Sequence, residues 1–78
     1  MRELLEYLAR QLVDAPDEVK VEQFVDDEDG TVVLELSVGS EDYGRVIGKG
    51  GRTANALRTV VKAAAVKENR RVLVDIVD

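Results

Sequence analysis

Leu4, Leu5, Leu8, Leu12 and Val13 recur near the start of the chain at the spacing of one helix face, with Glu6, Arg10 and Gln11 between them. That pattern predicts an amphipathic helix, and Pro16 sets its end. From Val19 to Val25 the period changes to two: Val19, Val21 and Val25 alternate with Lys20, Glu22 and Phe24, and Gln23 breaks the apolar face. The run Asp26–Gly30 closes on Asp29-Gly30, both tolerant of the positive φ of a type I′ turn, so an antiparallel partner is expected next. It follows as Thr31–Val38, with Val32, Leu34, Leu36 and Val38 on one face. Ser40, followed by Glu41 and Asp42, reads as an N-cap, predicting a short helix from Glu41 to Ile47. Beyond the glycines a longer helix begins at Arg52, with Leu57, Val60, Val61 and Ala64 inward and Asn55, Arg58 and Lys62 on another face. A last strand, Arg71–Val77, carries Val72, Val74 and Ile76 on one side. The order is α-β-β-α-α-β: an α+β fold, with helices expected to cover one face of a three-stranded sheet.

Seventy-eight residues suit one small domain, expected over 1–78. No apolar run is long enough to span a bilayer, and the opening helix is too interrupted to be a signal peptide, so a cytoplasmic protein without membrane contact is expected. The chain has no cysteine and no histidine, which removes disulfides, the usual zinc sites and histidine-activated nucleophiles. No cofactor motif is visible, and no enzyme is expected.

The net charge of −5 conceals a polarity. Through Gly44 there are three basic residues against thirteen acidic; from Arg45 onward there are eight basic against three acidic. An anion is steered to the second half. There the stretch "GRVIGKGGRTANALRTVV" sets Lys49 and Arg52 at the start of a helix, whose dipole disfavours positive charge. No Ser, Thr, Asp or Asn immediately precedes Arg52 to cap it. A helix start with free N–H groups, approached through glycines, is suited to a phosphate, and the two cations become favourable once one is bound. The structural alternative is a glycine turn that lets two helices meet closely, its basic residues solvated.

Other glycine and acidic motifs fail on spacing. A P-loop needs four residues between its first glycine and the Gly-Lys pair; Gly44 to Gly48 leaves three, and Gly50 stands where Ser or Thr should follow Lys49. A dinucleotide fingerprint read from Gly48 meets Thr53 at its sixth position. A calcium loop with Gly30 sixth would place Val25 first and Leu36 twelfth.

The glycine-framed "VIGKGG" between two helices, within α-β-β-α-α-β, resembles the type II KH domain, whose GXXG loop clamps single-stranded RNA. The longer run "GRVIGKGGRTANALRTVVKAAA" and the chain length resemble the small bacterial single-KH RNA-binding proteins of the KhpA (YlqC) family. The resemblance implies a three-stranded mixed sheet with helices on one face. It makes Gly48, Lys49, Gly50 and Gly51 the phosphate-contacting loop, flanked by Arg45 and Arg52, with Arg58 as a further contact. Val46 and Ile47 would contribute to an apolar floor for bases, or to the core; Ala54 stands where KH domains often carry Ile or Leu and leaves less apolar surface. Tyr7, Phe24 and Tyr43 lie away from the loop in sequence, so no aromatic stacking platform is expected.

A single site of about four nucleotides with few cations binds weakly, and a second linked site strengthens binding. The resemblance implies a homodimer, or a heterodimer with a KhpB (Jag)-like KH protein, and a role as post-transcriptional regulator or RNA chaperone. Two pairing faces stay open: the helices beside the loop, or the outer sheet residues Phe24, Val33, Leu73 and Val77. A KH scaffold that binds only protein is the alternative function.

Overall fold

A computed structural model describes residues 1–77. The helices are α1 (Arg2–Leu12), α2 (Tyr43–Ile47) and α3 (Arg52–Lys67), and the strands are β1 (Lys20–Val25), β2 (Val32–Ser37) and β3 (Val72–Val77). Single 3₁₀ turns at Pro16–Glu18 and Lys49–Gly51 precede β1 and α3. The sheet order is β1-β2-β3, with β1 antiparallel and β3 parallel to the central β2. The KH-type order and the mixed sheet are therefore present.

Val32, Leu34 and Leu36 on β2 are completely buried, and their neighbours Val72, Val74 and Ile76 on β3 share that face. Leu5 and Ala9 of α1 and the seam Ala54, Leu57, Val61, Ala65 of α3 close over them. This seam corrects the expected inward face of α3: Val60 is 45% exposed and Ala64 half-buried, while Ala54 and Ala65 pack inside. Alanines let the helix lie close to the sheet, and close packing rather than side-chain apolarity selects the face. On the edge strand β1 only Val21 is buried; Val25, on the same face, is left largely exposed.

The hairpin forms at the expected place with a different turn. Val25 pairs with Val32, leaving residues 26–31 as the loop, and only Gly30 there has positive φ, so no type I′ turn is made. Backbone bonds from Asp26 N–H to Thr31 O and from Gly30 N–H to Asp26 O span the loop. The Asp26 and Asp29 carboxylates capture the N–H groups of Glu28 and Thr31, local bonding that competes with the tighter turn. The bond from Thr31 N–H, with the Thr31 side chain and Arg71 adding to it, holds the Asp29 carboxyl below its ordinary value.

The expected Ser40 cap is also corrected. Ser40 is exposed and α2 starts at Tyr43. The preceding Asp42 makes no side-chain cap; its buried carboxylate instead accepts Asp14 N–H at 3.0 Å and Ala15 N–H at 3.1 Å. These amides lie where the chain leaves α1, just before Pro16, and Asp42 ties that connection to the start of α2. Arg45 lies one turn on, with Nε 3.7 Å from the same carboxylate.

Asp42→Ala leaves two amides without their charged acceptor. Chemical denaturation should show a loss of about 1.5–3 kcal/mol with an unchanged denaturant slope. A change within about 0.5 kcal/mol would remove Asp42 as the clamp of this corner.

Candidate nucleic-acid interface

Between α2 and α3 the chain turns in four residues. Gly48 has φ 75° and ψ 171°, and Gly51, with φ 81°, stands in left-handed conformation as the N-cap of α3. Gly51 N–H donates to Gly48 O and Arg52 N–H to Lys49 O, two bonds that use the amides of neither Lys49 nor Gly50. Gly48 is required twice over. Its φ is unfavourable for any side chain, and a Cβ there would press on the Thr53 hydroxyl and lie 2.8 Å from Thr53 N. Gly50 differs: nothing lies within 4 Å of a Cβ at that position.

Lys49, Gly50 and Arg52 are exposed, and α3 has no side-chain cap. The loop is therefore a convex apex of backbone at the positive end of a helix of sixteen residues. Of the four cations expected around it, two are committed elsewhere. Arg45 donates to Asp14 at 3.1 Å. Arg58 donates through Nε to the Val74 carbonyl on β3 and through Nη1 to Asn55 Oδ1, both at 3.2 Å. Among the described residues Lys49 and Arg52 form no ion pair.

Of the two residues expected in an apolar floor or in the core, one falls to each, and Ala54 adds no open surface. Val46 is completely buried and Ala54 is 2% exposed, so both side chains belong to the core; Ile47 alone keeps open surface. The reason is their position on the inner faces of α2 and α3, where they pack with Leu57 and Val61 in the same core.

A second basic group lies at the far end of α3, outside the residues expected from the sequence. A concavity of about 620 Å³ is lined by Lys62, Val66, Asn69, Arg70 and Arg71 among others. Asn69 at φ 55° ends the helix, with Asn69 N–H donating to Val66 O and Arg70 N–H to Ala65 O. This paired capping turn directs Arg70 and Arg71 back beside Lys62. The signal in the sequence was the run Lys67–Arg71 after a helix that already carried Asn55, Arg58 and Lys62 on one face. The loop and the concavity are separated by the length of α3, about 24 Å at 1.5 Å per residue. Among the described residues no His, Cys, Asp or Glu group could hold a metal, and no helix is long and apolar enough to cross a membrane.

The family model described as KhpA/KhpB, KH domain, matches residues 2–76. The RNA-binding protein KhpA of Clostridium acetobutylicum is 56% identical over 77 residues, covering 99% of this chain and all of that protein. KhpA of Halalkalibacterium halodurans is 53% identical with both chains fully covered, and that of Treponema pallidum 47% identical over 97% of this chain and 92% of that protein. Among solved structures, Era in complex with MgGDPNP and nucleotides 1506–1542 of 16S ribosomal RNA superposes with a TM-score of 0.63 at 19% identity. That match covers 96% of this chain but 28% of Era, and it bears on the fold alone. With the helix–GXXG–helix geometry and the mixed sheet already in place, these matches establish that the chain belongs to the KhpA/KhpB KH-domain family.

Proposed function

We propose that this chain binds short single-stranded RNA in the cytoplasm, its phosphate backbone held at Gly48–Gly51 and its strand running along α3 toward Arg70 and Arg71. The observation that carries this reading is the uncapped, glycine-built start of α3 with Lys49 and Arg52 unpaired beside it. Relatives of matching length bear the name RNA-binding protein, which supports it. Phosphates approach the apex as no Cβ obstructs it, and the two free cations neutralise them. Ile47 offers a base one apolar contact, and Asn55 and Lys62 offer polar ones along the helix. Arg58 braces α3 against β3, and Arg45 braces α2 against the end of α1, so these two shape the site.

With so few cations and one apolar contact, affinity is low and base preference shallow. Pairing with another KH module raises it through linked binding, in keeping with a regulator or RNA chaperone that works with a second copy or with a KhpB-like protein. Of the two faces open to pairing, the groove between α1 and α3 suits it better. It measures about 270 Å³, is lined by Leu8, Leu12, Thr53, Ala56 and Val60, and adjoins the loop. The outer sheet face places Glu22, Glu35 and Asp75 in one register row, which a second copy of the same face would repel.

Lys49→Asp combined with Gly50→Asp tests the RNA site. Gly50 has room for a side chain, and Asp tolerates left-handed backbone, so circular dichroism should be unchanged. Fluorescence anisotropy with a labelled single-stranded oligoribonucleotide should show binding lost by tenfold or more, the order expected when two like charges face phosphates. Parental affinity in the folded double variant would refute the site.

Sedimentation equilibrium across micromolar concentrations tests the pairing face. The parent and Val33→Glu should both dimerise, and Val60→Glu should be monomeric. A monomeric parent, or loss of the dimer on Val33→Glu alone, would refute the groove as the interface.

A further inference from the structure

The uncovered face of the sheet carries an ordered pattern that RNA binding does not use. Directly paired residues of adjacent strands project to the same side, so the register fixes its rows. One row is Glu22, Glu35 and Asp75; the next along the strands is Phe24, Val33 and Leu73. Phe24 is 48% and Leu73 53% exposed, and Val33 lies half-buried between them. None of the three carboxylates has an ion pair among the described residues. Like charges set directly opposite across two strand pairs destabilise a sheet, and adjoining them to an open aromatic and leucine row is a second departure from a solvated face. Conflicts of this kind concentrate where a surface is used.

We propose that this face docks a cationic amphipathic helix of a partner protein, lying across the three strands. Adjacent strands are spaced about 4.8 Å apart, and successive turns of a helix rise 5.4 Å. Lysines or arginines recurring every three to four residues would therefore fall on Asp75, Glu35 and Glu22 in turn. The apolar stripe beside them would cover Leu73, Val33 and Phe24, a row offset by two residues, about 7 Å, along the strands. Charge excludes the other occupants: phosphates are repelled by the carboxylate row, and a second copy presents the same sign. At the hairpin tip Asp29 is paired with Arg71 at 3.5 Å, while Asp26, Asp27 and Glu28 form no ion pair among the described residues; these three extend the negative potential beyond the apolar row and steer a basic segment to this side. The RNA loop lies on the helical layer, so both ligands can be held together.

The probe is a helical eighteen-residue peptide of leucine and lysine with lysines at three- and four-residue spacing, titrated at physiological salt and read by amide chemical shifts and calorimetry. Saturable binding should map to residues 22–24, 33–35 and 73–75. Glu35→Gln with Asp75→Asn should weaken it at least about fivefold, the scale of exposed ion pairs. Phe24→Ser should weaken it by a similar factor. The carboxylate variant relieves repulsion and should fold at least as stably. Glu3→Gln with Glu41→Gln makes the same change in net charge away from the face and the hairpin tip and should alter affinity less than twofold. Equal loss in that control, shifts confined to the hairpin tip, or self-association abolished by Phe24→Ser would each overturn the proposal, the last by assigning the face to a second copy.

Discussion

Thr53, in the first turn of α3, packs where a side chain at residue 48 would have to be. That contact fixes how α2 delivers the chain into α3, because any Cβ at Gly48 would drive the helix start away from the turn. The consequences spread outward. Holding α3 in this place sets Ala54, Leu57, Val61 and Ala65 onto the sheet and leaves Lys49 and Gly50 at an apex with open space around them. The same turn supplies no capping side chain, since the N-cap position is Gly51, held in left-handed conformation. Close packing of the helices and an unfilled helix start are thus one feature seen from two sides.

Charge is arranged around that geometry. Arginines in the second half divide into paired and free groups: Arg45 and Arg58 are bonded to Asp14 and to the Val74 carbonyl and Arg71 is paired with Asp29, whereas Arg52 has no ion-pair partner among the described residues. Acidic residues crowd the hairpin and the outer sheet face, on the layer away from the helices. An acidic protein can therefore carry a locally basic strip, because net charge governs solubility and long-range steering while the local field at a helix start governs an anion within a few ångströms.

Much of the fold was legible in the sequence. The period-two runs on β2 and β3 and the leucine spacing of α1 each follow one local rule, and the glycine cluster marked the junction of two helices. What was illegible depended on partners distant in sequence. Asp42 looks like a first-turn acid until Asp14 and Ala15, nearly thirty residues earlier, are brought to its carboxylate. Val60 outranks Ala54 in hydropathy, yet the small residue is buried, since distance to the sheet decided the seam. Arg58 read as a free cation because the carbonyl of Val74 that it meets becomes available only at an edge strand. Glu22, Glu35 and Asp75 are unrelated in sequence and become a row only through the register.

The proposed site holds RNA by the backbone and cations of the α2–α3 turn and along α3 to its C-terminal end. Titrating isotopically labelled protein with a short single-stranded oligoribonucleotide and following each backbone amide tests it most directly. The largest shifts should fall at Lys49 through Asn55, smaller ones at Asn69, Arg70 and Arg71, and none at Glu22, Glu35 and Asp75. Shifts centred on the outer sheet face, with the amides of Lys49 to Arg52 unmoved at saturation, would contradict it.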